Sequence, residues 1–104
     1  MRGIDFNRLR RDITMEEALN LLAFEPSHRT GDQWSGPCPF HEPRSRRGRP
    51  FSVNVALGRY DCHKCHRHGN QLELWAAFTH LSLYPAAIDL CRMLGREIPW
   101  IHRW

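Results

Sequence analysis

The chain carries Cys38-x-x-His41 and, after twenty intervening residues, Cys62-x-x-Cys65. No other feature restricts the fold as much. A ligand-x-x-ligand turn delivers two side chains to one ion, and two such knuckles complete a tetrahedron of three sulfurs and one imidazole nitrogen. The pattern reads as one structural Zn2+ site. Four protein ligands leave no open position for water or substrate, so the ion is expected to hold the fold and not to perform catalysis.

Other uses of these cysteines are weaker readings. A disulfide framework needs an oxidising compartment, yet Met1 to Phe24 is charged and amphipathic, unlike a secretory leader, so a reducing cytoplasm is expected. A redox pair at Cys62 and Cys65 would want a strand and a helix around it and would leave Cys38 and His41 without a role. His63, His66 and His68 crowd the second knuckle, but the two thiolates already supply the spacing, which leaves these histidines as outer neighbours of the ion or as solvated side chains. Cys91 lies in an apolar helical stretch and reads as a buried thiol.

With 104 residues the chain is long enough for one domain and not for two. A domain of this size has a small core, and metal binding free energy becomes folding free energy. No run approaches the roughly twenty apolar residues of a membrane span, so a soluble protein is expected. The formal charge is +4, from 15 basic and 11 acidic residues. Its placement says more than its size: Arg44, Arg46, Arg47 and Arg49 lie together between the knuckles, followed by Arg59, Lys64 and Arg67.

The periodicity divides the chain into a helical segment (1–25), a ribbon (26–69), a helical pair (70–95) and a tail (96–104). Ile13, Ala18, Leu19, Leu21, Leu22 and Phe24 recur at helical spacing, Thr14 and Glu17 form a capping-box pattern, and Pro26 stops the run. Phe51 to Val55 alternates as a strand and Gly58 turns the chain into Arg59 to Cys62. Gln71 to His80 reads as a helix, Ser82 is placed to cap another with Pro85 in its first turn, and Gly95 is its natural stop. The expected fold is a small α+β zinc ribbon: an antiparallel sheet carrying both knuckles, flanked by one N-terminal and two C-terminal helices.

The strings GPCPFH at Gly36 to His41, PFSVN at Pro50 to Asn54 and GRYDCHKCHRHGN at Gly58 to Asn70 resemble the Cys-His-Cys-Cys zinc-binding domain of bacterial DnaG-type DNA primases. The likeness covers about Ile4 to Gly95, including the preceding helix and the Leu81-Ser82-Leu83 link. The chain departs from the family in its longer, arginine-rich Glu42 to Pro50 segment and in His68-Gly69-Asn70 where Gly-Gly-Asp is common. It also ends at Trp104, before the Toprim-class core whose carboxylates bind catalytic metals, and it has no Asp-x-Asp pair. No catalytic residue is expected, and no primer synthesis by this chain alone.

The resemblance implies a module that holds single-stranded template DNA for a primase, polymerase, helicase or mobile-element protein acting in trans. Strands are held by arginines along the phosphates and by aromatic faces against the bases. The candidate contacts are Arg44, Arg46, Arg47, Arg49, Arg59, Lys64, Arg67, Trp34 and Tyr60, with the aromatic residues equally open to a place in the core. The competing reading is a protein-interaction adaptor in which the ribbon is only a scaffold, and an exposed tail with Trp100, Ile101 and Trp104, or the amphipathic N-terminal helix, docks onto another chain.

Overall fold

The computed structural model describes residues 3–40 and 50–101. His41, the four loop arginines Arg44, Arg46, Arg47 and Arg49, and Trp104 lie outside the described residues. In chain order the elements are α1 (Phe6–Asp12), α2 (Met15–Leu21), β1 (His28–Thr30), β2 (Gln33–Gly36), β3 (Phe51–Asn54), β4 (Arg59–Cys62), β5 (His68–Gly69), α3 (Gln71–Thr79) and α4 (Leu83–Leu94). The five strands form one antiparallel meander in sequence order. This is the expected ribbon with one more helix than the periodicity indicated.

That extra helix is α1. Asp5 caps it by accepting the Arg8 backbone N–H at 3.1 Å, and within it only Leu9 is buried. One buried residue, with a partly buried Phe6 at the helix start, is too little to show as an amphipathic stripe, so docking sustains α1 where periodicity could not reveal it. Next comes α2, which begins with the anticipated capping box: the Glu17 N–H donates to Thr14 Oγ1 at 3.2 Å, and the Thr14 N–H donates to Glu17 Oε1 at 3.0 Å. It stops earlier than Pro26 requires. Ala23 enters the left-handed region at φ 56°, and the Phe24 and Ala23 N–H groups close onto the Leu19 and Asn20 carbonyls, a Schellman ending built on alanine.

Register explains which side of the sheet is dry. Trp34, Val53 and Tyr60 stand opposite one another, as do Gly36, Phe51 and Cys62, and cross-strand partners share a face. Phe51, Val53, Tyr60 and Cys62 are all buried. Phe51 lies at the centre of an aromatic cluster, 5.1 Å from Phe24, 6.2 Å from Phe40 and stacked on Tyr60 at 5.7 Å between ring centroids. The other face presents Ser52, Asn54, Arg59 and Asp61, half-buried or exposed.

The third helix opens with a second capping box, unread in the sequence: Asn70 Oδ1 accepts the Glu73 N–H at 2.9 Å, and Glu73 Oε1 accepts the Asn70 N–H at 3.0 Å. Asn70 thus replaces the usual acidic opening without loss of the cap. Ser82 occupies the N-cap position of α4 but makes no side-chain cap bond, so that expected contact is absent. The two helices are joined by a hydrogen bond from the Trp75 indole N–H to Asp89 Oδ2 at 2.9 Å. Gly95 closes α4 at φ 66°, as its position foretold.

The tail is not free at Trp100. Its backbone bridges Ile4, the Asp5 N–H reaches the Pro99 carbonyl at 2.8 Å, and the Trp100 ring lies 6.4 Å from Tyr84. Trp100 is therefore half-buried, and the expectation of an exposed docking tail is corrected at this residue, although Ile101 is exposed.

One buried polar side chain ties these parts together. The Gln71 amide N–H2 donates to the Arg10 and Ile13 carbonyls at 2.8 and 2.7 Å, satisfying backbone acceptors left over where α1 ends. Its Oε1 lies against Gly58, where an added Cβ would come within 2.9 Å and where φ is +67°. Replacing Gln71 by leucine strands both carbonyls. We expect Gln71→Leu to cost about 1–3 kcal/mol, read as a lower denaturation midpoint of the zinc-loaded protein at unchanged slope.

Candidate metal centre

The same register that buries Phe51 brings the knuckles together. Gly36, Phe51 and Cys62 form one row across β2, β3 and β4, so Cys38, two residues beyond the row, meets the end of β4. Gly36 suits that tight path, since a Cβ there would lie 3.2 Å from both the Phe24 ring and the Ser27 backbone nitrogen and would press on them. Cys62 is the last residue of β4, and Cys65 closes the turn that follows. In that turn the His66 N–H donates to the Cys62 carbonyl at 2.8 Å and the Cys62 N–H to the Arg67 carbonyl at 2.9 Å. The His63 N–H donates to the Pro50 carbonyl at 2.9 Å, which locks the knuckle to the start of β3.

Cys38, Cys62 and Cys65 place their sulfurs within 4.8 Å of one another. The Cys38 and Cys65 sulfurs are 4.0 Å apart and all the cysteines are free. Sulfurs bound to one zinc at about 2.3 Å lie roughly 3.8 Å apart along a tetrahedron's edge, whereas a disulfide would hold them at about 2.05 Å. The spacing fits one zinc ion. Backbone donors are already aimed at the sulfurs: the Phe40 N–H points to Cys38 and the Cys65 N–H to Cys62, each at 3.5 Å. Such bonds spread thiolate charge. Burial pushes the Cys38 thiol up to about 12; the Cys62 and Cys65 sulfurs add to the rise, and the Phe40 N–H draws it back. Three thiolates crowded into a buried pocket need a cation. A dication bound there supplies the compensating charge and locks two loops to the sheet.

Among the described residues these three cysteines are the group able to hold a metal. His63, His66 and His68 are exposed and stand outside it, with His63 Nδ1 3.8 Å from Asp61 Oδ2. His66 serves the turn through its backbone, at φ 60°. Cys91 is buried in α4, and burial raises its thiol, as expected for a packing residue.

The predicted nucleic-acid contacts separate. Arg59, Lys64 and Arg67 are exposed, with the Arg67 guanidinium 5.2 Å above the Phe40 ring. Tyr60 does not join them: it is 4% exposed, stacked on Phe51, and burial pushes its hydroxyl up to about 12, with the Glu73 carboxylate adding to the shift. It is a core residue, because its position in β4 points inward. Trp34 is half-buried on that same inner side; its N–H donates to the Gly31 carbonyl at 3.2 Å and one ring face is covered by Arg29 at 4.1 Å. The structure therefore places Arg59 and the two aromatic residues on opposite faces.

A five-stranded antiparallel ribbon with a three-thiolate cluster between two knuckles defines a zinc-ribbon protein. The family model of the CHC2 zinc finger matches residues 5–103, so the chain belongs to that family. It is similar to the DNA primases of Helicobacter pylori strain 26695, at 32% identity over 80 residues, and of Pasteurella multocida, at 31% over 71 residues. These alignments take in 77% and 68% of this chain but only 13% and 12% of the relatives. The chain thus matches about an eighth of their length. Its fold is that of the crystal structure of the Aquifex aeolicus primase zinc-binding and RNA polymerase domains, with a TM-score of 0.73 at 21% identity, covering 91% of this chain and 22% of that one.

Changing Cys65 to serine should release zinc and unfold the ribbon, while His66→Ala and His68→Ala keep the metal; metal analysis and circular dichroism of the three variants check both halves. Zinc loading should also fall on acidification, because the ion displaces thiol protons. Each displaced proton weakens apparent affinity about tenfold per pH unit, measurable by competition with a chromogenic chelator.

Proposed function

We propose that this chain is a primase-like zinc module that holds single-stranded template DNA for a catalytic partner in replication or in a mobile element, with His41 as the fourth zinc ligand. The observation that carries the reading is the outer face of the sheet. Ser52, Asn54 and Arg59 stand there on strands whose opposite face is packed into the core, and β4 ends in a metal ligand. A polar face held this rigidly suits a strand whose bases are to be presented in a fixed frame. Membership of the CHC2 family and the likeness to DNA primases support it.

His41 follows Cys38 at the spacing of a ligand-x-x-ligand knuckle, and an imidazole would complete four-coordination with three thiolates. Arg59 stands on this outer face, while Lys64 and Arg67 are exposed in and just after the turn that follows β4; Arg44, Arg46, Arg47 and Arg49 of the segment between the knuckles are the further cations proposed to meet phosphates. The partner supplying polymerisation is a primase, polymerase or helicase, or a protein of a mobile element. A reducing, cytoplasmic setting suits the free thiols, and among the described residues no helix is long and apolar enough to cross a membrane.

The adaptor reading keeps one observation in its favour. Leu81, in the link before α4, and Leu83 and Met93, near the two ends of that helix, are 40%, 40% and 55% exposed. Titration of the zinc-loaded protein with single-stranded and double-stranded oligonucleotides at several salt concentrations separates the two. Template holding predicts tight, salt-dependent binding to single strands, weakened when Arg44, Arg46, Arg47 and Arg49 are changed to alanine. No binding to either form favours the adaptor.

A further inference from the structure

The cations of the sequence-based reading all lie in or after the loop between the knuckles. The fold collects a second set that no local pattern announces. Arg10 and Arg11 occupy the last turn of α1, forty-eight positions or more from Arg59 in sequence. Gln71 closes that distance by binding the Arg10 and Ile13 carbonyls while packing on Gly58 in the β3–β4 turn. Above this junction opens a groove of about 840 Å³, lined by Arg10, Arg11, Arg59 and His68 among others.

The charge balance of the groove is one-sided. Among the described residues none of the three arginines is in a salt bridge, and Arg10 makes only a hydrogen bond to Asn7 Oδ1. Nearby Asp12 is paired with Arg8 at 3.6 Å. Glu73 is the one acidic residue lining the groove, and its Oε1 is occupied by the Asn70 N–H. Guanidinium groups held around a concave surface without carboxylate partners fit phosphate oxygens. A free phosphate would need only one end of such a groove, whereas its continuation argues for a chain. Leu57, 74% exposed, lines both this groove and a second depression of about 390 Å³ on the outer sheet face, as do Arg59 and His68; there Gln33, Ser52 and Asn54 offer amides and a hydroxyl beside the Asp61 carboxylate. Phosphates along the first and bases turned over Leu57 toward the second would suit a single strand, whose backbone and bases are met by different surfaces.

We propose that this groove is the backbone track of the bound single strand, with Arg10, Arg11 and Arg59 contacting successive phosphates and Leu57 separating phosphates from bases. The assignment rests on the template-holding reading and adds to it a surface from α1, outside the ribbon.

The test compares zinc-loaded wild type, the triple variant Arg10→Ala/Arg11→Ala/Arg59→Ala, the corresponding triple lysine variant, and the Arg44/Arg46/Arg47/Arg49 alanine variant. Each is titrated with a short mixed-sequence oligonucleotide, carrying either phosphodiester or uncharged methylphosphonate linkages, across a range of salt. All three substituted side chains in the groove are exposed, so zinc content should be unchanged. Three lost phosphate contacts on a single strand reduce the slope of log affinity against log salt by about two, so a fourfold rise in salt weakens wild type roughly 20-fold more than the alanine variant. The lysine variant should retain most of the slope, and methylphosphonate substitution should remove it from wild type. A triple alanine variant with the wild-type slope, while the loop variant loses it, overturns the groove and leaves template holding intact. Failure of wild type to bind the phosphodiester strand overturns both.

Discussion

The row Gly36, Phe51, Cys62 across three strands is the constraint on which the rest depends. It sets which residues of the sheet are dry, and it brings Cys38 and the Cys62–Cys65 turn to one end of the strands. A slip of one residue in either pairing would turn Phe51 and Val53 to solvent and carry Cys62 away from Cys38. The metal and the aromatic core therefore enforce the same register. Zinc prevents slippage by fixing the strand ends, and Phe24, Phe40 and Tyr60 around Phe51 prevent it by filling the interior. In a domain this small neither alone is a comfortable margin, which is why a thiolate cluster that is costly to bury can persist.

The parts legible in the sequence were those encoded locally. The close Cys62-x-x-Cys65 pair, the alternation of β3, the Thr14 capping box and the Gly95 stop each lie within a few residues, and each appears in the structure as read. What escaped was encoded by distant partners. His28–Thr30 forms a strand with every residue exposed, because β2 offers an edge and not because the segment alternates. Short α1 survives on Leu9 and on the Gln71 bonds, and Trp100 is tied down by Ile4 at the other end of the chain. Tyr60 shows the same limit in the site: nearness to Arg59 in sequence suggested a common surface, yet adjacent strand residues face opposite ways.

That alternation divides the labour of the sheet. Its inner face does the work of stability, with aromatic packing leading up to the sulfurs. Its outer face carries few apolar groups and is free to meet a partner, while the register that aligns one face necessarily aligns the other. Serine, asparagine and glutamine side chains there lie in cross-strand pairs, Ser35 beside Ser52 and Gln33 beside Asn54, so their spacing is fixed by hydrogen-bonded backbone. A surface of this kind loses little side-chain freedom on binding.

Gln71 extends that rigidity beyond the ribbon. Without it α1, a seven-residue helix with Leu9 buried, Phe6 packed against the core and its Asp12 carbonyl bound by Arg96, would be held less firmly at its last turn. By satisfying the carbonyls at the end of α1 from the first turn of α3, and by packing against Gly58 where a Cβ would meet its Oε1 at 2.9 Å, it ties the end of α1 to the β3–β4 turn beside Arg59. Its burial, with the amide nitrogen donating to two backbone carbonyls, marks it as a structural joint between the metal-bearing sheet and the helical layer. The zinc ion sets the frame of the sheet, and this one amide carries the frame across to the cations of the N-terminal helix.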